Sequence, residues 1–350
     1  MTQRHPPYPL VLGALIALLV TAMIAGLAIG SIAIPPLDVA KNLAHQFVPG
    51  LVDASGPAHF ETVITQVRGP RVMLGAVVGA GLAVVGMTLQ ALVRNPLADP
   101  YLLGVSSGAS VGAVGVIITG VGIAGVITTN VAAFAGSLAA LALVYSLSRA
   151  GGQITTTRLV LAGVAVAYVL SAVTSLLLIM AKSGDQARQV LTWLLGGLGG
   201  AQWNTLWLPL ACVLAGLVVM LAQSRTFNVL LAGDEVATTM GIDTQRFRAQ
   251  MFVLTSLLTG VLVAVSGPIG FVGLILPHAV RLVVGSDHRR ALPAAALAGA
   301  TFLVLADIAA RTLASPQEIP VGVLTALCGG PFFLWLLRRD ARRSALGGTS

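Results

Sequence analysis

The strongest constraint on this chain is a rhythm of long apolar runs separated by short segments that hold nearly all of the charge. A helix needs about 20 apolar residues to cross the hydrocarbon core of a bilayer. On that measure residues 10–33, 70–92, 101–119, 123–148, 158–181, 203–223, 247–265, 268–285, 291–312 and 320–337 read as about ten spans. No segment alternates polar and apolar residues as a membrane β-barrel requires. The expected fold is all-α: a polytopic membrane protein, with residues 1–350 as one transmembrane domain. Composition agrees, since 9% of the residues are charged, against roughly 25% in soluble domains. The first run is too long for the core of a signal peptide and reads as a retained span.

The net charge of +8 is scattered one to three residues at a time between the runs. That pattern sets membrane orientation and excludes nucleic-acid binding. With the N-terminus inside, Lys41, Arg68, Arg71, Lys182, Arg188 and Arg311 fall outside. Arg281 lies within the eighth span, and every other Lys or Arg falls inside. An even span count also keeps the "RRDARR" tail (338–343) inside, so both termini are expected in the cytoplasm. Residues 34–67 form an outer loop with a short amphipathic helix. Residues 185–200 read as a re-entrant or surface helix on the outer face. Cys212 and Cys328 sit in apolar runs and the histidines lack ligand spacing, so neither a metal site nor a cofactor is expected.

"RNPLADPYLLGVSSGAS" (94–110) breaks this rhythm. Asn95-Pro96 and Asp99-Pro100 interrupt helical geometry, and small residues that allow close backbone approach follow. A second broken motif, "GPIGFVGLILPHAVR" (267–281), follows "GVLVAVSG" as the first follows "GLAVVG". In this topology the two stretches run in opposite directions, an arrangement that transporters use to build a central pathway. Irregular backbone at membrane depth is tolerated where it is buried or faces a watery cavity, so the breaks point to a conduit or gate.

The cytoplasmic stretch 224–246, "SRTFNVLLAGDEVATTMGIDTQR", reads as a short helix outside the membrane. Gly233, Ala237 and Gly241 fall at i, i+4 and i+8, which would give it a smooth stripe of small residues. Leu230, Leu231, Val236 and Met240 add apolar contacts. Such a helix suits docking into a partner's groove. No G-x-x-x-x-G-K-[ST] occurs, so any energy from ATP must arrive through a separate subunit.

"VRGPRV" (67–72), residues 79–110, "LAGVAVA" (161–167), residues 267–289 and residues 305–339 together resemble the FecCD family of ABC importer permeases for iron–siderophores, haem and cobalamin. The resemblance covers nearly all of the chain after residue 65. It implies a bacterial inner-membrane subunit, itself no enzyme, paired with a second permease, two ATP-binding subunits and an external substrate-binding protein. An iron–siderophore is the expected cargo, with haem or cobalamin as the alternative. It further implies that 224–246 is the coupling helix on the ATPase, including Leu231, Gly233, Asp234, Glu235, Ala237 and Gly241. Asn95, Leu97, Thr156 and Thr157 would form the cytoplasmic gate, although Thr155–Thr157 could equally cap the fifth helix. Arg68, Arg71 and Arg311 would meet acidic groups of the binding protein, unless Arg71 and Arg311 merely snorkel or satisfy Asp307. Met87 and Gln90 on the second span and Tyr168 and Ser171 on the fifth are candidates for pathway lining or for helix packing. An ion-coupled carrier would need a paired ionisable relay at mid-membrane, and only Asp307 with Arg311 comes near one, toward the outer end.

Overall fold

The computed structural model describes residues 6–30, 32–48, 57–121, 125–149 and 156–347, and among them the regular structure is helical, with no strand. In chain order, α1 (Tyr8–Ala28) leads to the amphipathic α2 (Pro36–Phe47). A short α3 (Ala58–Thr62) then runs through one π-helical turn (Val63–Arg68) into α4 (Gly69–Val93). A 3-10 turn (Pro100–Leu103) precedes α5 (Val105–Thr119), α6 (Val126–Ser148), α7 (Thr156–Ile179) and the amphipathic α8 (Gly184–Leu194). Next come α9 (Trp203–Ala222), the short α10 (Ser224–Leu231) and α11 (Asp234–Thr239), and α12 (Thr244–Ser266). The chain closes with α13 (Val272–Val284), α14 (His288–Thr312) and α15 (Val321–Gly347).

Seven of these helices are long and apolar enough to cross a membrane, and α5, α13 and the apolar part of α15 are shorter. Together they follow the ten expected runs. The third and eighth fall short of their apolar stretches because the prolines and glycines of each break remove the first helical turn. α15 continues past its run to Gly347, since the arginine, alanine and leucine of its tail are good helix formers. α2 and α8 supply the non-spanning helices expected near 34–67 and 185–200.

Burial ranks the helices. In its most apolar window the α3–α4 rod is 83% buried, against 11% for α1 and 17% for α7. A helix apolar all round belongs in the interior, and α4 packs against α9, α12, α13 and α14. Glycines make the closest approaches possible. A Cβ on Gly79 would strike the Gly299 carbonyl of α14, and one on Gly86 would strike the Gly273 carbonyl of α13.

Contacts also fix direction. The Arg290 guanidinium lies 5.7 Å from the centre of the Tyr8 ring at the start of α1, and Arg311 donates to the Gly26 carbonyl near its end. The first and ninth spans therefore run parallel. Arg71 pairs with Asp307 while Gly79 meets Gly299, so α4 runs against α14.

Candidate functional site

α4 ends on Arg94, which takes a left-handed conformation (φ 53°). Its N–H and that of Asn95 both close onto the Gln90 carbonyl. Asn95 Oδ1 accepts from the Leu97 amide at 2.9 Å, and Asp99 accepts from the Tyr101 amide at 2.8 Å, which starts the 3-10 turn. The second break follows α12. There Gly267 and Phe271 take positive φ before α13 begins. Arg94 and Phe271 are the non-glycine positive-φ residues among the described residues, and each sits in one of the two broken motifs. Such outliers cluster where the surroundings hold a strained backbone for function.

One side chain joins the breaks. Tyr101 Oη donates to the Ile269 carbonyl and accepts from the Ile269 amide, both at 2.8 Å. Gln90 adds a second stitch: Nε2 donates to the Gly273 and Leu274 carbonyls, and Oε1 accepts from Arg281. Gln90 thus satisfies carbonyls of the second break, and Met87 is wholly buried. In this chain both are packed inside the bundle around α4. Tyr168 and Ser171 differ, because the outer flank of α7 is exposed. With Asp99 and Tyr101 they line a cavity of about 390 Å³.

At the Arg94 end, Asn95 and Leu97 are exposed, as is Thr157 on the first turn of α7. Thr156 opens that helix, and Thr155 lies outside the described residues. α7 reaches the first break through Gly104, where an added Cβ would lie 3.3 Å from the Gly163 carbonyl.

Residues 224–246 do not form one helix. Gly233 (φ 121°) separates α10 from α11, and Gly241 (φ 81°) follows α11. These two glycines turn the backbone, so the expected stripe of small residues is absent, and Ala237 faces inward, fully buried. The segment exposes three large apolar residues, Leu231, Val236 and Met240, among polar ones such as Arg225, Glu235, Thr238 and Thr239. α10 is bolted down by Phe227, stacked on the His288 ring at 5.3 Å, and by Asn228. Asn228 donates to Asp287 at 2.6 Å and accepts from the His288 amide at 2.9 Å. Partial burial works to raise the Asp287 pKa, but the bonds from Asn228 and the Arg289 amide outweigh it and hold the carboxyl below its usual value. Asp234 is gripped twice, by Arg94 at 3.3 Å and by Arg248 of α12 at 2.8 Å.

At the opposite end the arginines turn inward. Arg68 donates to the Leu27 and Ala28 carbonyls (2.7 and 3.0 Å) and to Ile32, and Arg311 donates to Gly26 at 3.0 Å. Two cations thus complete the carbonyl end of α1, where a helix favours positive charge. Asp307 binds Arg71 at 2.9 Å and Arg311 at 3.0 Å, and Arg71 also binds Glu318 at 2.9 Å. Arg68 and Arg311 are buried, and Arg71 keeps 12% of its side-chain surface beside a Glu318 that keeps 46%. Sequence reasoning missed Glu318, the Asp234 fork and the Tyr101 bridge. All three depend on contacts between distant segments, and nothing local marks them.

Three comparisons bear on this arrangement. The profile of the FecCD transport family matches residues 18–339. A cobalamin import system permease of Halobacterium salinarum is 48% identical over 82% of this chain and 76% of its own length. A hemin transport system permease of Yersinia pestis is 45% identical over 78% of this chain and 82% of its own. A chain solved in an inward-facing conformation, assigned to the metal-chelate type of ABC transporter, is 32% identical with a TM-score of 0.82. That match covers 95% of this chain and 99% of the other.

Proposed function

The chain belongs to the FecCD transport family as a permease of an ABC importer, and from that premise we propose that it passes a bulky metal chelate into the cytoplasm of a bacterium. A macrocycle of the cobalamin or haem type is favoured over the iron–siderophore first expected, because similar permeases are named for those cargoes. The observation that carries the transport reading is the pair of helix breaks joined by Tyr101 beside the cavity at Tyr168 and Ser171. Irregular backbone at membrane depth fits a conduit. In this reading Asn95, Leu97, Thr156 and Thr157 form the cytoplasmic gate, and the exposed apolar residues of α10–α11 dock on a separate ATPase. A second permease completes the pathway against the open flank of α7. Arg71 is the contact for an external binding protein, with Arg68 and Arg311 bracing the surface behind it.

Cargo is tested by loading vesicles that contain the permease, its ATPase and its binding protein with ATP. Uptake of labelled cyanocobalamin, haemin and a ferric hydroxamate is then compared. Uptake of either macrocycle is expected. Transport of the hydroxamate alone would restore the siderophore reading, and uptake driven by an ion gradient without ATP would make the protein a secondary carrier. Orientation is tested with Asp53→Cys and Ser344→Cys in a Cys212→Ser, Cys328→Ser background. An impermeant thiol reagent should modify position 53 in intact cells and leave 344 untouched.

A further inference from the structure

The short helices α10 and α11 and the first helix break are far apart in sequence, yet a carboxylate joins them. Asp234 stands at the start of α11, directly after the turn at Gly233. Its two oxygens divide between two elements: Oδ1 takes Arg248 of α12 at 2.8 Å, and Oδ2 takes Arg94 at 3.3 Å. The arms are unequal. Arg248 is 17% exposed and Arg94 is 43% exposed, so the first arm anchors Asp234 and the second reaches through solvent to the break.

Arg94 is itself an unusual choice. A helix commonly closes on glycine in the left-handed conformation, because a side chain is strained there. Here an arginine accepts that strain (φ 53°) and is followed at once by Asn95 and Leu97. Turning the Arg94 backbone changes the direction of these two residues, and the Arg94 guanidinium is held by the segment that exposes Leu231, Val236 and Met240.

We propose that Asp234 is a positioning residue that ties α10–α11 to the first helix break through Arg94, so that a displacement of this segment passes directly to Asn95 and Leu97. The inference rests on the reading of 94–99 as the cytoplasmic gate and of α10–α11 as the ATPase-docking surface. Arg248 keeps Asp234 on α12 during the movement, and Arg94 carries the pull.

The test uses the importer purified with its ATPase subunits, carrying Leu97→Cys in the Cys212→Ser, Cys328→Ser background. The rate of maleimide labelling at position 97 is compared without nucleotide and with ATP plus vanadate. Arg94→Gln should shrink the nucleotide-dependent change by up to about fivefold, the limit for one exposed ion pair. Arg94→Gly removes the charge and relieves the strained backbone, so it should fold readily and show the same loss. Arg94→Lys keeps the charge and should restore the response. ATP hydrolysis by all three variants should persist. A full nucleotide response in Arg94→Gln and Arg94→Gly overturns the tie, as does a response lost equally in Arg94→Lys. A background protein whose position 97 ignores nucleotide overturns the gate reading itself. Failure of the permease to co-purify with an ATPase overturns the docking reading.

Discussion

The two ends of the bundle hold their charges in opposite ways. At the end read as outer Asp307 and Arg311 are 2% and 4% exposed, and they share a network with Arg71 while Arg68 and Arg311 close the carbonyl end of α1. At the end read as cytoplasmic Arg94 and Asp234 are each 43% exposed, and their pair is open to water. Burial raises the stakes of every charge, because an ion stripped of water must be matched by partners held in place. Exposure lowers them, since solvent stands ready to replace a lost partner. The outer network therefore behaves as a clamp that fixes α1, α4 and α14 together. The water-exposed pairs behave as ties that solvent can replace. Under the proposed function, opening toward an ATPase on one side while presenting a constant face to a binding protein on the other calls for this division.

The largest expected effect breaks the clamp. Asp307→Asn leaves Arg71 and Arg311 crowded without their shared carboxylate, and removing one partner of a buried pair costs about 3–5 kcal/mol. Thermal unfolding in detergent should show the loss, and Arg71→Gln should lose less because Arg71 is the partly exposed member. Equal losses would mean that the partly exposed Arg71 is held as firmly as the buried Asp307.

Next comes Gly233→Leu. Its φ of 121° is a conformation that side chains rarely adopt, and strain of this kind costs of order 1–3 kcal/mol. The nearest atom to an added Cβ is an Arg94 guanidinium nitrogen at 4.0 Å, so the penalty comes from the backbone and not from crowding. Because the segment is exposed, the loss should appear as local opening. Proteolysis within 224–246 should quicken while the unfolding temperature moves little. A large fall in that temperature would show that α10–α11 belongs to the same cooperative unit as the clamp.

These contrasts mark what could be read in the sequence. The ten runs were legible because apolar length is a local property, and the breaks were legible because proline and glycine act on their own backbone. Residues 224–246 mislead: Gly233, Ala237 and Gly241 have the spacing of a helical stripe, and only the φ values reveal two of them as turns. For Met87 and Gln90 lining and packing stay open in the sequence, which does not say which span is central. The nearly unbroken apolar character of α4 was the available signal. The inward turn of Arg68 could not be seen, since its acceptors lie 36 to 41 residues earlier on α1 and just beyond it.

A smaller effect separates the two arms on Asp234. Arg248→Gln should cost more than Arg94→Gln, because Arg248 is the more buried and the closer. Both should stay within about 1 kcal/mol, as exposed pairs do. Raising the salt concentration should erase the Arg94 effect first. If Arg94→Gln proves the more damaging, the tie to the first break contributes more to the resting structure than its exposure implies.

The smallest expected effect concerns pH. Asp287 has its carboxyl held below the usual carboxylate value by Asn228 and the Arg289 amide, against partial burial that would raise it. A depressed folded-state pKa contributes stability that is fully present above the unfolded value, near 3.8 for this group. That contribution is lost as pH falls through the folded value. Between neutral pH and about 5 the Asp287→Asn variant should therefore show a constant small deficit against the parent. Below about 4 the two should converge, as protonation removes the parent's advantage. Paired unfolding curves across that range decide it. A deficit that persists undiminished at acid pH would mean that the Asn228–Asp287 bond matters for its geometry and not for its charge. The grip on α10 would then resemble the fixed clamp at the outer end more than the water-exposed tie at Arg94.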